Sequence, residues 1–130
     1  MLDTNVYDLV VARPGFAERL NAAAETGALS ILRTRVQDEE IARIPDAGRR
    51  GAMRKVRSRV IPTSETPWAG LPKGRAPSED ALIAATAVES ADVLVTEDKE
   101  LRALVAGRIE AWRFAELVAY VDSLPPPKRL

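Results

Sequence analysis

Four carboxylates stand in four separate short motifs. Asp3 lies in Met1-Leu-Asp-Thr-Asn5, and Glu40 in Thr34-Arg-Val-Gln-Asp-Glu-Glu-Ile41. Asp80 lies in Ser78-Glu-Asp-Ala-Leu-Ile-Ala-Ala-Thr86, and Asp98 in Val93-Leu-Val-Thr-Glu-Asp-Lys-Glu-Leu101. Each motif has the character of a place where an element of a parallel sheet ends or begins. Converging carboxylates repel one another and need a counter-charge, which a hard divalent cation with oxygen ligands supplies. The chemistry this suggests is metal-dependent hydrolysis of phosphodiester bonds, with Mg²⁺ or Mn²⁺ lowering the pKa of a bound water and neutralising phosphate charge. Thr4, Asn5 and Thr96 are short polar neighbours able to orient the ligands.

Composition narrows the alternatives. The chain has 130 residues, no cysteine and no histidine. Zinc sites built on thiolate or imidazole are therefore excluded, as are Ser-His-Asp and Cys-His nucleophile systems. Lysine plus arginine equals aspartate plus glutamate, 19 against 19, so net charge gives no argument for nucleic acid or membrane binding. No apolar run approaches the roughly 20 residues that span a bilayer. The N-terminus has neither a basic nor an apolar leader region. A soluble, cytoplasmic protein with no membrane partner is the expectation.

The elements that must position the carboxylates follow from periodicity and punctuation. Met1-Leu2 is a very short apolar start. A helix is expected over 17–25, opened by Pro14 and closed by Gly27, then a strand over 28–33. Residues 37–44 read as a short helix stopped by Pro45. Asp46 caps a second helix running to about Ser58, and Val60-Ile61 is a brief strand. Residues 63–77, rich in Pro, Gly, Ser and Thr, read as a loop. Ser78 caps a nearly all-apolar helix over 81–88. Residues 91–96 form a continuous apolar strand of the kind buried on both faces. A helix over 99–105, a strand over 109–112 and a helix over 114–124 complete a single domain of residues 1–124. Residues 125–130 are a Pro-rich tail. Strands alternating with helices define an α/β class with a mostly parallel sheet.

In such sheets ligands bind beyond the C-terminal strand ends. Asp3 follows the first strand, and Thr96 and Asp98 follow the buried one, so parallel strands bring them to one edge. Asp80 falls in the first turn of a helix, where the macrodipole favours a carboxylate. Each residue also has an ordinary structural role: Asp3-Thr-Asn as a strand-end turn, Asp98 as a helix cap, Glu40 as a solvated charge beside Asp38 and Glu39.

At these residues the chain resembles the PIN-domain nucleases, and most closely the VapC-like toxins of toxin–antitoxin pairs. The stretch from Asp80 through Ile83-Ala-Ala-Thr-Ala87 to Val93-Leu-Val-Thr-Glu-Asp98 carries the resemblance, with Leu2-Asp-Thr-Asn5 as the opening motif. The resemblance implies a three-layer α/β/α fold with a central sheet of four to five mostly parallel strands. It implies Mg²⁺- or Mn²⁺-dependent endoribonuclease activity. Asp3, Glu40, Asp80 and Asp98 would be the catalytic acids, with Asp3, Asp80 and Asp98 on the metal and Asn5 and Thr96 supporting them. Glu40 is preferred to Glu39 because Ile41 follows it. RNA substrate, a cognate antitoxin and a homodimer are the implied partners.

Arg49, Arg50, Arg54, Lys55 and Arg57 crowd one short segment, followed by Arg59. They either track an RNA backbone or form a solvated, internally paired face. Two other classes compete with the nuclease: a non-catalytic PIN-like module binding RNA or protein, and a phosphatase using Asp3 as nucleophile. The second lacks the paired aspartates of the usual phosphatase motif, because Asn5 holds the second position.

Overall fold

The computed structural model describes residues 1–63 and 79–125, with Glu79 and Asp80 described for their backbone alone. In chain order the elements are α1 (Thr4–Ala12), α2 (Phe16–Glu25), β1 (Leu32–Thr34), α3 (Arg35–Ala42), α4 (Ala47–Arg54) and β2 (Arg59–Ile61). They continue as α5 (Glu79–Ser90), β3 (Val93–Val95), α6 (Lys99–Val105), β4 (Glu110–Trp112) and α7 (Phe114–Ser123). The expected loop from residue 64 onward, with Trp68 and the Ser78 cap, lies outside the described residues, as does the tail from residue 126.

Punctuation residues act where their chemistry requires. Gly27 takes φ 79°, a left-handed conformation open to glycine without steric cost. With it the Ala28 amide reaches the Ala23 carbonyl at 3.0 Å and the Gly27 amide the Ala24 carbonyl at 3.2 Å, which closes the last turn of α2. Asp46 caps α4 by accepting from the Arg49 amide at 3.1 Å.

α1 is absent from the sequence-based expectation. Its β-branched and aromatic residues have modest helix propensity, and Thr4-Asn5 reads as a turn. Tertiary burial decides the matter: Val6, Tyr7 and Val10 form a stripe that is almost wholly buried.

The described strands form two parallel pairs. β1 pairs with β2, Leu32 opposite Arg59 and Thr34 opposite Ile61. β3 pairs with β4, Val93 opposite Glu110 and Val95 opposite Trp112. Leu2 makes a single parallel bridge with Val95. The four-to-five-stranded sheet expected from sequence is thus seen as two two-stranded sheets and one bridging residue. Leu2 is the one bridged residue before the chain turns helical at Thr4, and its bridge is to β3.

Side chains alternate between two cores along the strands, as a period of two demands. Leu2, Ile31, Val95 and Trp112 join a core built with α1, α2 and α7. Met1, Leu32, Leu94 and Ala111 join another built with α5 and α6. Among the described residues no helix is long and apolar enough to cross a membrane.

The Met1 amine donates to the Val93 carbonyl at 2.7 Å. Burial lowers its pKa from 8.0 to about 6, with the Asp92 charge opposing the shift. The folded state therefore holds this proton less tightly than the unfolded state, and stability rises with pH through this window. The slope is at most about 1.4 kcal/mol per pH unit. We expect urea midpoints to increase from pH 6 to pH 8 and the increase to flatten when the amine is acetylated. An identical slope in the acetylated chain would rule the amine out as its source.

Candidate active site

Helices begin where strands end, and three of those beginnings are joined by side chains. Leu2 ends in Asp3, the N-cap of α1. β1 ends in Thr34, the N-cap of α3. β3 leads through Thr96 and Glu97 to Asp98, the N-cap of α6. Caps of these types satisfy amides that a helix start leaves unpaired.

Asp3 is only 5% exposed. One carboxylate oxygen accepts from the Thr4 amide at 2.8 Å and the other from the Thr96 hydroxyl at 2.8 Å. The Asp3 amide donates to the Val95 carbonyl at 2.9 Å, and its carbonyl accepts from Val6 at 2.9 Å. Burying a carboxylate is costly unless its oxygens are paired, and here each has a donor.

Thr96 is fully buried and works in both directions. Its hydroxyl donates to Asp3 and accepts from the Asp98 amide at 3.0 Å. Its carbonyl accepts from Arg102 at 3.1 Å. Asp98 is exposed, and one of its oxygens accepts from the Glu100 amide at 2.9 Å and the Leu101 amide at 3.3 Å. Between them, Glu97 accepts from the Phe114 amide at 2.7 Å and so anchors the start of α7.

Gln37 enters this edge without having been singled out from sequence. It sits in the first turn of α3, is fully buried, and forms a capping box with Thr34. Its amide nitrogen donates to the Leu2 carbonyl at 2.6 Å and lies 3.5 Å from the Thr4 hydroxyl. The signal was present as Thr34-x-x-Gln37, a capping-box pattern.

The other predicted residues distribute as follows. Asn5 is exposed in the first turn of α1. Glu40 is half-buried, about one turn further along α3 than Gln37. Asp80 has its backbone in the first turn of α5, and its side chain lies outside the described residues. Asp3 and Asp98 are thus linked through Thr96. Among the described residues no three acidic side chains gather closely enough to hold a metal ion.

The basic segment is largely committed within the protein. Arg49 grips Asp8 with two hydrogen bonds of 2.7 Å, which hold its pKa above the usual arginine value. Arg57 pairs with Glu25 at 3.0 Å, and Arg50 donates to the Ile44 carbonyl at 2.7 Å. Arg54 and Lys55 are exposed. The carboxylates in these two ion pairs, Asp8 and Glu25, come from α1 and α2. A different arginine, Arg33 on β1, is buried and paired to Asp38 at 2.8 Å, while its Nε and Nη1 make no hydrogen bond among the described residues. Burial also raises the pKa of the nearby Tyr7, whose hydroxyl lies 3.0 Å from that of Ser58.

A cleft of about 430 Å³ opens beside Met1, between Ser30–Leu32 and Ser90–Val93. Asp3, Thr96 and Asp98 form no part of its wall, so this cleft is not the place where the polar network lies. No protein-family model, curated protein or solved structure matches this chain.

Thr96→Val should remove the Asp3 donor and the Asp98 amide acceptor while preserving shape. The expected loss is about 1–3 kcal/mol in urea unfolding, because one Asp3 oxygen and the Asp98 amide each lose the Thr96 hydroxyl as partner. Thr96→Ser should retain most of that stability. Equal stability of the valine and wild-type chains would mean that the hydroxyl contributes nothing net.

Proposed function

We propose that this chain is a divalent-metal-dependent endoribonuclease with a PIN-like fold, acting as the toxin of a toxin–antitoxin pair. The observation that carries the reading is the Asp3 carboxylate, buried at a strand end and held by Thr96, with Asp98 two residues further along. A buried acid at the C-terminal end of a parallel strand is a natural ligand position in an open α/β fold.

The finer architecture belongs to the same proposal. Two cores on alternating strand faces suit a three-layer α/β/α arrangement. A single parallel sheet in the order β2-β1-Leu2-β3-β4 would result if Leu2 also paired with β1. Asp3, Asp80 and Asp98 would hold Mg²⁺ or Mn²⁺, which when bound supplies charge neutralisation and an activated water for phosphodiester hydrolysis. Thr96 orients Asp3 by its hydrogen bond, Asn5 and Glu40 complete the polar surroundings, and the cations from Arg49 to Arg57 guide the RNA backbone. Exposed ion pairs such as Arg49–Asp8 contribute little stability, so a phosphate can compete for these arginines. A cognate antitoxin and a homodimeric assembly complete the reading.

A specific observation favours a second reading, a PIN-like module that binds RNA or protein without cutting. It is the exposure of Arg54 and Lys55, cations that can hold a phosphate backbone or an acidic surface without any cutting chemistry. Cleavage of RNA by the purified chain in Mn²⁺, Mg²⁺ or EDTA separates the two. Under the nuclease reading, Asp80→Asn and Asp3→Asn each reduce cleavage to the EDTA level while circular dichroism stays native. Full metal-dependent cleavage by Asp80→Asn would overturn the assignment. RNA binding without cleavage in any metal would favour the module.

A further inference from the structure

We infer that Gln37 is a positioning residue, setting the geometry of the Asp3 carboxylate by gripping the residues on either side of it; its effect on turnover rests on the nuclease reading above. Leu2 and Thr4 flank Asp3 in sequence, and the Gln37 amide nitrogen addresses both, at 2.6 Å to the Leu2 carbonyl and 3.5 Å to the Thr4 hydroxyl. The side-chain oxygen of Gln37 accepts from the Thr34 amide at 3.0 Å, and the Gln37 backbone amide donates to the Thr34 hydroxyl at 3.0 Å. The side-chain amide is thus fixed at both ends. Its oxygen is locked to the start of α3 and its nitrogen to the turn containing Asp3.

This exceeds what a helix cap requires. The capping box is complete with the two bonds between Gln37 and Thr34. The bond to Leu2 stabilises no turn of α3; it crosses 35 positions of sequence to the end of the short N-terminal strand. There it fixes the peptide immediately before Asp3. The Thr4 amide immediately after Asp3 is one of the two donors to the carboxylate. A small rotation of the Leu2–Thr4 segment would therefore turn both Asp3 oxygens relative to Thr96. Outer partners that orient a ligating group typically contribute about 10–100-fold to activity or metal affinity.

The test is Gln37→Met, which keeps length and helix preference and removes every side-chain bond of the amide. Val56→Ala serves as a control. Val56 is almost fully buried in the core just beyond α4, and no polar atom of the site contacts it through a hydrogen bond among the described residues. Both variants are assayed for Mn²⁺-dependent RNA cleavage well below their unfolding temperatures. Amide hydrogen exchange at Thr4 and Asp98 is measured in the same samples. We expect kcat to fall about tenfold or more in Gln37→Met with KM within about twofold. Val56→Ala should keep the wild-type kcat despite its own loss of stability. Thr4 exchange should quicken in Gln37→Met beyond its loss of global stability, and in Val56→Ala only in step with it. Unchanged kcat in Gln37→Met, or an equal fall in Val56→Ala, overturns the inference. If the wild-type chain does not cleave RNA, the nuclease reading fails and exchange alone decides. Thr4 quickening specific to Gln37→Met upholds the positioning role, and equal behaviour of the two variants refutes it.

Discussion

The hydrogen bond from the Thr96 hydroxyl to the buried Asp3 carboxylate joins two segments distant in sequence. Asp3 caps α1 and Thr96 directly follows β3, 93 positions apart. A buried carboxylate is tolerated only where donors replace the water it has lost, so the chain must bring β3 to Asp3 in one register. The backbone bonds from Asp3 to Val95 and from Val95 to Met1 fix that register. Once it is set, Leu2 and Val95 fall into one core and Met1 and Leu94 into the other. The polar contact and the apolar packing specify the same alignment, which is the mutual consistency expected of a unique fold.

The same constraint explains why helix starts collect at this edge. Asp3, Thr34 and Asp98 each end an extended segment and each supply a side-chain oxygen to the first amides of a helix. Helix N-termini carry partial positive charge, so carboxylates are favoured there before any ligand is considered. An acidic cap therefore has two possible occupations. Asp98 uses one oxygen for two backbone amides, whereas Asp3 divides its oxygens between an amide and a hydroxyl. Asp3 is buried and Asp98 is exposed, so they differ in the solvent available to them although both cap helices.

The cations show how weakly linear charge clustering constrains a surface. Arg49 and Arg57 lie in one basic run, yet they turn to Asp8 on α1 and Glu25 on α2. Asn21 holds the connection between α4 and β2 by bonding the Lys55 carbonyl and the Arg57 amide, both at 2.8 Å. That clamp helps fix the directions in which the basic side chains leave the backbone. The segment's surface character thus depends on α1 and α2, which are distant in sequence.

Much of the secondary structure was legible because it depends on local chemistry. α6 has the expected limits, and α2, α7 and β4 come within a residue or two, since Gly27, Asp98 and the apolar runs act through neighbouring atoms. Asp98 as a helix cap and Thr96 beside Asp3 could be read in the same way, from strand ends in a parallel α/β pattern. α1 could not, because Val6, Tyr7 and Val10 become a helix face only when a core covers them. Gln37 could be read as a capping residue but not as a partner of Leu2, because that bond requires α3 and the N-terminal strand to meet. By itself the sequence determined the α/β class and the local caps, whose energies come from residues a few positions apart. Tertiary structure alone decided which carboxylate is buried, which arginines are paired and how the strands are grouped, because those depend on contacts made across the whole chain.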